Sequence, residues 1–210
     1  SIDQDGTRAT RLHLMNTGEQ AVQNLCICAG AWSHDLARML GSKLLLQAER
    51  GYHVIMKDPG VSLSRAVTHA AQPGAVTPHH DGIKIAGSDE SAAIDAPADW
   101  RRADQMYVYG KRILPKLRDV NGSETKWMGR RPSTPDSLPV ISPSPNLNNV
   151  WYGFGHGHMG LSWGPTTGRM IADMSTARTS NTDLAPYHIN PSMKQAQETR
   201  CAPRLHRPFA

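Results

Sequence analysis

The hydrophobic pattern of this 210-residue chain begins with two short elements. Residues 8–15 alternate weakly between apolar and polar positions, and residues 16–19 carry a turn signal. Residues 20–23 would form a second strand that runs back along the first, so the pattern predicts a small β-hairpin. Residues 25–28 are apolar at every position, a pattern typical of a strand that is covered on both faces. We therefore expect a hairpin followed by a buried strand.

A short helix and a β-rich stretch follow. The chain leaves the buried strand through Gly30, and Ser33 is placed to cap a helix over residues 34–40 that Gly41 ends. Asp81-Gly82 is a strong hairpin signal within the next stretch. The β runs of this stretch cover residues 44–47, 51–56, 66–70, 75–78 and 83–86. So many short strands predict an antiparallel sheet.

The remaining chain contains one long helix and a proline-rich connection. Residues 99–117 carry apolar side chains near helical spacing and form the longest helix candidate. Residues 127–132 read as a strand, and residues 133–141 form a connection that prolines stiffen. Residues 189–210 are rich in proline, arginine and polar side chains, and we expect a disordered tail there.

A glycine pattern near the end of the chain points to a ligand. Residues 155–160 read G-x-G-x-x-G, after the apolar run 149–154 and before a helix candidate over residues 161–174. Backbone N–H groups at such a helix start can bind an electron-rich group. A dinucleotide fold would need a further strand carrying an acidic residue, and Asp183 has no such strand. The pattern is therefore either an ordinary glycine turn or a helix start aimed at an electron-rich ligand.

Composition and charge exclude several classes of protein. Apolar residues make up 39% and aromatic residues 6% of the chain, with 18 Gly and 15 Pro, which favours a modest core and many turns. No apolar run approaches the roughly 20 residues of a membrane span, and Ser1 opens no signal-peptide pattern. The net charge is +5, but the basic residues are scattered, which argues against a nucleic-acid partner.

The chain contains three cysteines, which is too few for a disulfide framework. Cys26 and Cys28 lie two residues apart in the predicted strand, and we expect them to be small buried residues of a reduced protein. This predicts a cytoplasmic location, with attachment to the inner face of the membrane as the alternative.

Four segments, in order, resemble the D-amino-acid oxidase/dehydrogenase (DAO) family of FAD-dependent oxidoreductases. The third and fourth are specific when taken together, and the Arg-Gly-Tyr-His variant of the second is most similar to bacterial D-amino-acid dehydrogenase. The segments are Cys-Ala-Gly-Ala-Trp-Ser at 28–33, Arg-Gly-Tyr-His at 50–53, Trp-Met-Gly-Arg-Arg-Pro-Ser-Thr-Pro-Asp-Ser-Leu-Pro at 127–139 and Gly-His-Gly-His-Met-Gly-Leu-Ser at 155–162.

The resemblance implies a mixed α/β (α+β) fold. Residues 1–42 would form the end of an FAD-binding domain, and residues 145–188 would return to it with a strand, the glycine loop and a helix. Residues 43–144 would form an antiparallel substrate domain with one helix. The N-terminal dinucleotide-binding unit of the family has no counterpart in residues 1–42. We therefore expect a C-terminal part of a longer flavoprotein, or a subunit that a partner chain completes, with weak or no FAD binding and poor stability of this chain alone.

The resemblance also assigns residues to the site. Arg131, in Gly-x-Arg-Pro, would clamp a substrate carboxylate and orient Cα toward flavin N5, since a planar guanidinium binds carboxylate bidentately. The alternative is an ion pair with Asp136 or a surface arginine. At most one of Tyr52 and His53 should point to the substrate, because neighbours on a strand face opposite sides. The expected cofactor contacts are Gly30, Ala31, Trp32, Gly129, Gly155, Gly157, His158, Met159, Gly160, Leu161 and Ser162.

The implied reaction is oxidation of a D-amino acid or related small amine by hydride transfer from Cα to the flavin. Its alternative is a non-catalytic fragment or subunit. Among partners, a quinone acceptor or peripheral membrane contact is compatible with the family, and no metal is expected, because a third ligand beside His156 and His158 is not evident.

Overall fold

The computed structural model of the protein describes residues 1–69, 72–119 and 122–190. The chain divides into two compact units. The first unit comprises residues 1–46 and the chain from 132 onward, and the second unit comprises residues 47–131. The chain therefore passes from the first unit to the second between residues 46 and 47, and returns between residues 131 and 132. The sequence predicted these two boundaries at 42/43 and 144/145. Their assignment as flavin and substrate domains stays a prediction.

In the part of the first unit that the structure describes, there are two three-stranded sheets and two α-helices. One sheet has the antiparallel order β1-β2-β3, so the predicted hairpin is confirmed as β2 and β3, with β1 added. The other has the order β10-β11-β4, in which β11 is antiparallel to β10 and parallel to β4. The elements are β1 Ile2–Gln4, β2 Ala9–Leu14, β3 Gly18–Ala21, β4 Leu25–Ile27, α1 Ser33–Met39, β10 Val140–Pro143, β11 Val150–Phe154 and α3 Gly160–Ser175.

Both faces of β11 are covered, so all five of its residues are buried. On one face Tyr152 and Phe154 join a core with Ile27 and Leu40. On the other face Trp151 packs with residues of α3. Strand β11 is the central strand of this sheet, because β10 flanks it on one side and β4 on the other. Strands β10 and β4 are therefore the two edges of the described sheet.

The core of the first unit also includes Ile189, which is 4% exposed. Its backbone N–H donates to Ser142 Oγ at 3.2 Å. The prediction that a disordered tail begins at residue 189 is therefore wrong at its first residue, because the apolar side chain of Ile189 packs in the core. Residues 191–210 of that tail lie outside the described residues.

Within the described residues, the second unit consists of one helix and a five-stranded sheet whose strands β5 to β8 pair antiparallel. The strand order is β6-β7-β8-β5-β9. Met106 and Tyr109 of the helix pack on Val54 and Ile85 of the sheet. The elements are β5 Gln47–Met56, β6 Val67–His69, β7 Gln72–His79, β8 Gly82–Ser91, α2 Arg101–Ile113 and β9 Thr125–Ser133, whose last two residues belong to the first unit.

Local chemistry explains most of these boundaries. The Asp81-Gly82 hairpin is confirmed, with His79 paired to Gly82 across the turn. The sequence predicted two separate strands over residues 44–47 and 51–56. The structure has a single strand, β5, which begins at Gln47 and continues to Met56. The helix was expected to reach residue 117, but α2 ends at Ile113, because Pro115 disfavours helical backbone in the residue before it.

Each helix within the described ranges is too short or too polar to cross a lipid bilayer.

Candidate functional site

The glycine loop connects β11 to α3 in the first unit. Gly155 has φ of +83° and Gly157 has φ of +51°, and these left-handed conformations strain any residue with a Cβ. A 3₁₀ turn over Gly157–Met159 then leads into α3. His156 Nε2 lies 2.8 Å from Thr167 Oγ1 of α3, so the loop is anchored to the helix that it opens. Burial lowers the pKa of His156, which favours the neutral ring.

The start of α3 presents backbone donors. Its N-cap residue, Met159, makes no side-chain capping bond, and the first turn carries no acidic residue. Leu161 is 96% exposed and Ser162 is exposed as well. The N–H groups of a first helical turn have no partner within the helix. This end can therefore receive an acceptor through its backbone and its partial positive charge.

The turn after β4 is the second exposed backbone segment of the first unit. Gly30 has φ of +57°, and a Cβ built on it meets nothing within 4 Å. Ala31 is buried, whereas Trp32 is 52% exposed. A ligand can thus approach the backbone at Gly30 without a clash.

Ser33 does not cap α1, so that prediction was wrong. A 3₁₀ turn over Gly30–Trp32 already supplies helical backbone, and Ser33 lies inside the helix with φ of −61° and ψ of −26°. Capping requires extended backbone instead. The Ser33 hydroxyl is buried and has no partner in the described part of the chain. Gly41 follows the helix with φ of +76° and ends it as expected.

Cys26 and Cys28 were expected to be buried, and they are exposed instead. Cys28 Sγ lies next to Gly153 on the face of the sheet that α3 covers, because a Cβ built on Gly153 would meet both Cys28 Sγ and the Ile171 methyl group of α3. Helix α3 packs over β11 and β10, and β4 is an edge strand. The sulfur atoms therefore lie beyond the cover of the helix.

Arg131 of the second unit crosses three neighbouring strands. It extends from β9 over Gly51 of β5, where a Cβ would lie 2.1 Å from its Nη2 atom. Its Nη1 atom pairs with the carboxylate of Asp89 on β8, and Asp89 is the cross-strand partner of Gly51. The guanidinium thus lies flat on a glycine, and its ion-pair partner in this unit is Asp89.

Tyr52 and His53 have different surroundings. Tyr52 is 1% exposed, and its hydroxyl donates to Glu90 Oε2 at 2.7 Å and accepts from the Asp99 N–H at 3.1 Å. This placement supports the entry to α2. His53 is half-buried and stacks on the exposed ring of Trp127 with centroids 4.7 Å apart. Of the two, His53 has the environment that a ligand can reach.

Gly129, predicted as a cofactor contact, lies under Trp127. A Cβ there would be 1.9 Å from the indole ring, so the glycine makes room for the Trp127–His53 stack. Arg130 donates through Nε to Ile94 O at 2.6 Å, a structural contact within the second unit. Sequence reasoning missed Asp89 and Trp127 as site residues, because the strand pairing that brings Asp89 opposite Gly51 has no local signal.

Acid is expected to destabilise the second unit through His53. Burial, with smaller contributions from Lys84 and His79, lowers the pKa of His53 from 6.5 to about 4. Between these two pH values the unfolded chain therefore binds more protons than the folded chain. The free energy of unfolding is highest above about pH 6.5 and declines as the pH falls toward about 4. Urea unfolding at several pH values checks this. His53→Gln should flatten the profile and the exposed His80→Gln should not; an unchanged slope in His53→Gln would contradict the assignment.

Side chains at the tip of the β7–β8 hairpin could hold a metal ion. The potential ligand atoms of His79, His80 and Asp81 lie within 4.8 Å of one another. All three are at least partly exposed, and the nitrogen of His80 is 3.0 Å from Asp81 Oδ2. Exposed groups at this spacing are common without an ion, so the arrangement alone assigns no metal.

Comparison with known proteins places these features in a family. Residues 1–174 match the family model of the DAO FAD-dependent oxidoreductases. The chain is 35% identical over 173 residues to a D-amino-acid oxidase of Bradyrhizobium diazoefficiens, covering 81% of this chain and 41% of that protein. It is 30% identical over 183 residues to a D-amino acid dehydrogenase of Paramagnetospirillum magneticum, covering 86% of this chain and 42% of the relative.

The fold is also found in solved structures. Glycine oxidase from Geobacillus kaustophilus superposes with a TM-score of 0.76 at 21% identity, covering 90% of this chain and 50% of the other. The chain spans about half the length of the relatives it matches. The predicted fold class, with its helices and antiparallel sheets, is confirmed, and FAD is confirmed as the cofactor of the family. Because the family match spans most of the sequence, the chain belongs to the DAO family of FAD-dependent oxidoreductases.

Proposed function

We propose that this chain supplies flavin-contacting and substrate-contacting residues for oxidation of a small amino acid, with D-amino acids as the favoured class. Family membership supports the reaction class. The observation that carries the substrate assignment is the Arg131 guanidinium, which lies flat on Gly51 and already pairs with a carboxylate. A planar fork held in this way suits an amino-acid carboxylate.

The first unit has groups that fit FAD. Backbone donors from the turn at Gly30 and from residues 157–162 would hold it, because Gly30 and Gly157 have left-handed φ and the α3 start carries partial positive charge. When bound, FAD supplies the two-electron acceptor for the hydride from substrate Cα. The α3 start would stabilise negative charge on its ligand by about 1 kcal/mol. The predicted contacts through His158, Met159, Leu161 and Ser162 remain part of this proposal.

In the second unit Arg131 would bind the substrate carboxylate in competition with Asp89. His53 and the Trp127 ring would border the substrate side chain, and His53 would be uncharged near neutral pH because burial lowers its pKa. An uncharged His53 adds no repulsion to a substrate amine. Tyr52 would position α2 rather than touch substrate, because its hydroxyl is bound at both sides.

Removing the guanidinium fork should weaken carboxylate binding. We expect Arg131→Lys to raise the dissociation constant for D-alanine by about 100-fold, because a lysine cannot make the paired, planar contact. The measurement follows the ring signals of His53 and Trp127 by NMR during a D-alanine titration, which does not require bound FAD. The surface variant Arg112→Lys serves as the control. Equal affinity in Arg131→Lys and wild type would refute the clamp.

A second candidate is a fragment or subunit that completes a flavin site only with a partner chain. The observation in its favour is that the chain spans about half the length of its relatives. An FAD titration that follows flavin fluorescence and absorbance separates the two candidates. Saturable binding, with bleaching of the flavin by a D-amino acid, supports the first candidate. The absence of binding by this chain alone would show that a further segment, either upstream in the same protein or on a partner chain, is needed to complete the flavin site.

A further inference from the structure

Two exposed thiols lie together at the edge of the first unit. Cys26 belongs to β4, and Cys28 follows directly after that strand. Their Sγ atoms are 3.3 Å apart. Cys28 Sγ lies close over Gly153 of β11, where a Cβ would come within 3.1 Å of the sulfur atom. The two sulfurs are therefore in contact on an open part of the sheet.

The contact divides the two thiols into a nucleophile and a partner. A hydrogen bond from Cys26 lowers the pKa of Cys28 to about 7, and the same contact, together with burial, raises the pKa of Cys26. A thiolate reacts with oxidants and a thiol does not. Cys28 would thus react first, with Cys26 within reach of the product.

The spacing of the pair favours a bond that is easily reversed. Two residues along a strand rise about 6.6 Å, which is close to the upper limit of roughly 6.8 Å between the Cα atoms of a disulfide. Cys28 lies past the last strand residue, and Ala29 next to it has already left extended geometry, with φ of −90° and ψ of 25°. A small bend would close the pair, and a strained disulfide is readily reduced.

We propose that Cys26 and Cys28 form a reversible redox pair that hydrogen peroxide oxidises to an intramolecular disulfide. The Cys28 thiolate attacks one peroxide oxygen, the O–O bond breaks, and sulfenic acid and water form once the leaving hydroxide takes a proton. The Cys26 sulfur then displaces the sulfenic oxygen, which leaves as a second water. Two thiols lose two electrons and two protons, and the peroxide is reduced to two waters. This site goes beyond the proposed flavin function.

Intact-mass spectrometry of the full 210-residue chain tests the pair. Every protein used carries Cys201→Ser, so that the pair provides the only thiols of the chain, and methionine oxidation is recognised separately by its gain of oxygen mass. Peroxide should remove the mass of two hydrogen atoms and both free thiols, and dithiothreitol should restore them. In Cys26→Ser, dimedone should trap a sulfenic acid on Cys28. Stepwise oxidation to sulfinic acid, or cross-linked dimers without the intramolecular bond, would overturn the proposal.

A second measurement separates a specific pair from two ordinary surface thiols. The rate of alkylation by iodoacetamide should rise with a midpoint near pH 7 for Cys28, and Cys26→Ala, which removes the hydrogen-bond donor, should move that midpoint toward the ordinary thiol value of about 8.5. At pH 7 the Cys28 rate should fall about 10-fold in that variant, with an unchanged circular dichroism spectrum. A midpoint that Cys26→Ala does not move would overturn the assignment of a coupled pair.

Discussion

Replacing Arg50 by alanine is expected to unfold much of the second unit. The Arg50 side chain is fully buried. It donates to Pro97 O at 2.9 Å and to Ala96 O at 2.7 Å, and a further short bond reaches Ala93 O. Glu90 provides the nearby negative charge. The variant would leave these acceptors unpaired beside a cavity, so we expect a loss of about 3–5 kcal/mol in the free energy of unfolding.

Hydrogen exchange of the β5 and β8 amides, combined with urea unfolding, measures this effect in the second unit. Arg50→Lys should be intermediate, because a lysine keeps the charge but cannot serve three carbonyls from one plane. The exposed Arg112→Ala provides a matched control, with an expected change within about 0.5 kcal/mol. A loss as small as that in Arg50→Ala would contradict the role of this arginine in holding residues 93–97.

Replacing Asn149 by alanine should have a comparable effect on the first unit. The Asn149 side chain is 1% exposed and binds three backbone groups. Its Oδ1 accepts from the Ala9 N–H at 2.8 Å, and its Nδ2 donates to Ala9 O and Gln23 O at 2.8 and 2.9 Å. Truncation would bury these groups without partners, at about 1–3 kcal/mol each, so we expect a total loss of about 3–5 kcal/mol.

The neighbouring Asn148 is exposed, which makes Asn148→Ala the matched control for this measurement. Asn149→Asp tests the hydrogen-bond pattern itself, because a carboxylate can accept from Ala9 but cannot donate to the two carbonyl oxygens. Thermal unfolding should therefore rank Asn149→Asp with Asn149→Ala and far below Asn148→Ala. A stable Asn149→Asp variant would show that the two donated bonds contribute little.

Features that depend on neighbouring residues could be predicted from the sequence. The turn at Asp81-Gly82, the hairpin of β2 and β3, and the passage from β11 through the glycine loop into α3 all follow from short patterns. In each case a few residues decide the backbone, through left-handed glycines or through strand alternation. The family itself was predicted correctly from four such segments.

Features that depend on distant pairing could not be predicted in this way. Asp89 faces Gly51 only because β5 pairs with β8 across an intervening hairpin. The exposure of Cys26 and Cys28 follows from the position of β4 at a sheet edge, which the apolar run 25–28 does not reveal. The prediction that Ser33 caps α1 was wrong because the preceding 3₁₀ turn already has helical backbone, so that Ser33 is the first residue of the helix and not the residue before it.

The Arg-Gly-Tyr-His segment illustrates both cases. Its pattern indicated a family, whereas the structure gives each residue a separate task. Arg50 binds the loop at 93–97, Gly51 leaves room for Arg131, Tyr52 bonds at the entry to α2, and His53 stacks on Trp127. Substitution of any one of them should disturb a different contact of the second unit.

The interleaved order of the two units has a consequence for how the chain acquires its structure. The second unit is one uninterrupted segment, so its strands can pair as soon as they have been synthesised. The first unit joins β4 to β11, with Ile27 beside Tyr152, and closing so long a loop is slow. During synthesis residues 25–27 must wait for the whole second unit to emerge before their partner strand exists. The second unit therefore has the earlier opportunity to fold on the ribosome, and the first unit can close its sheet only afterwards.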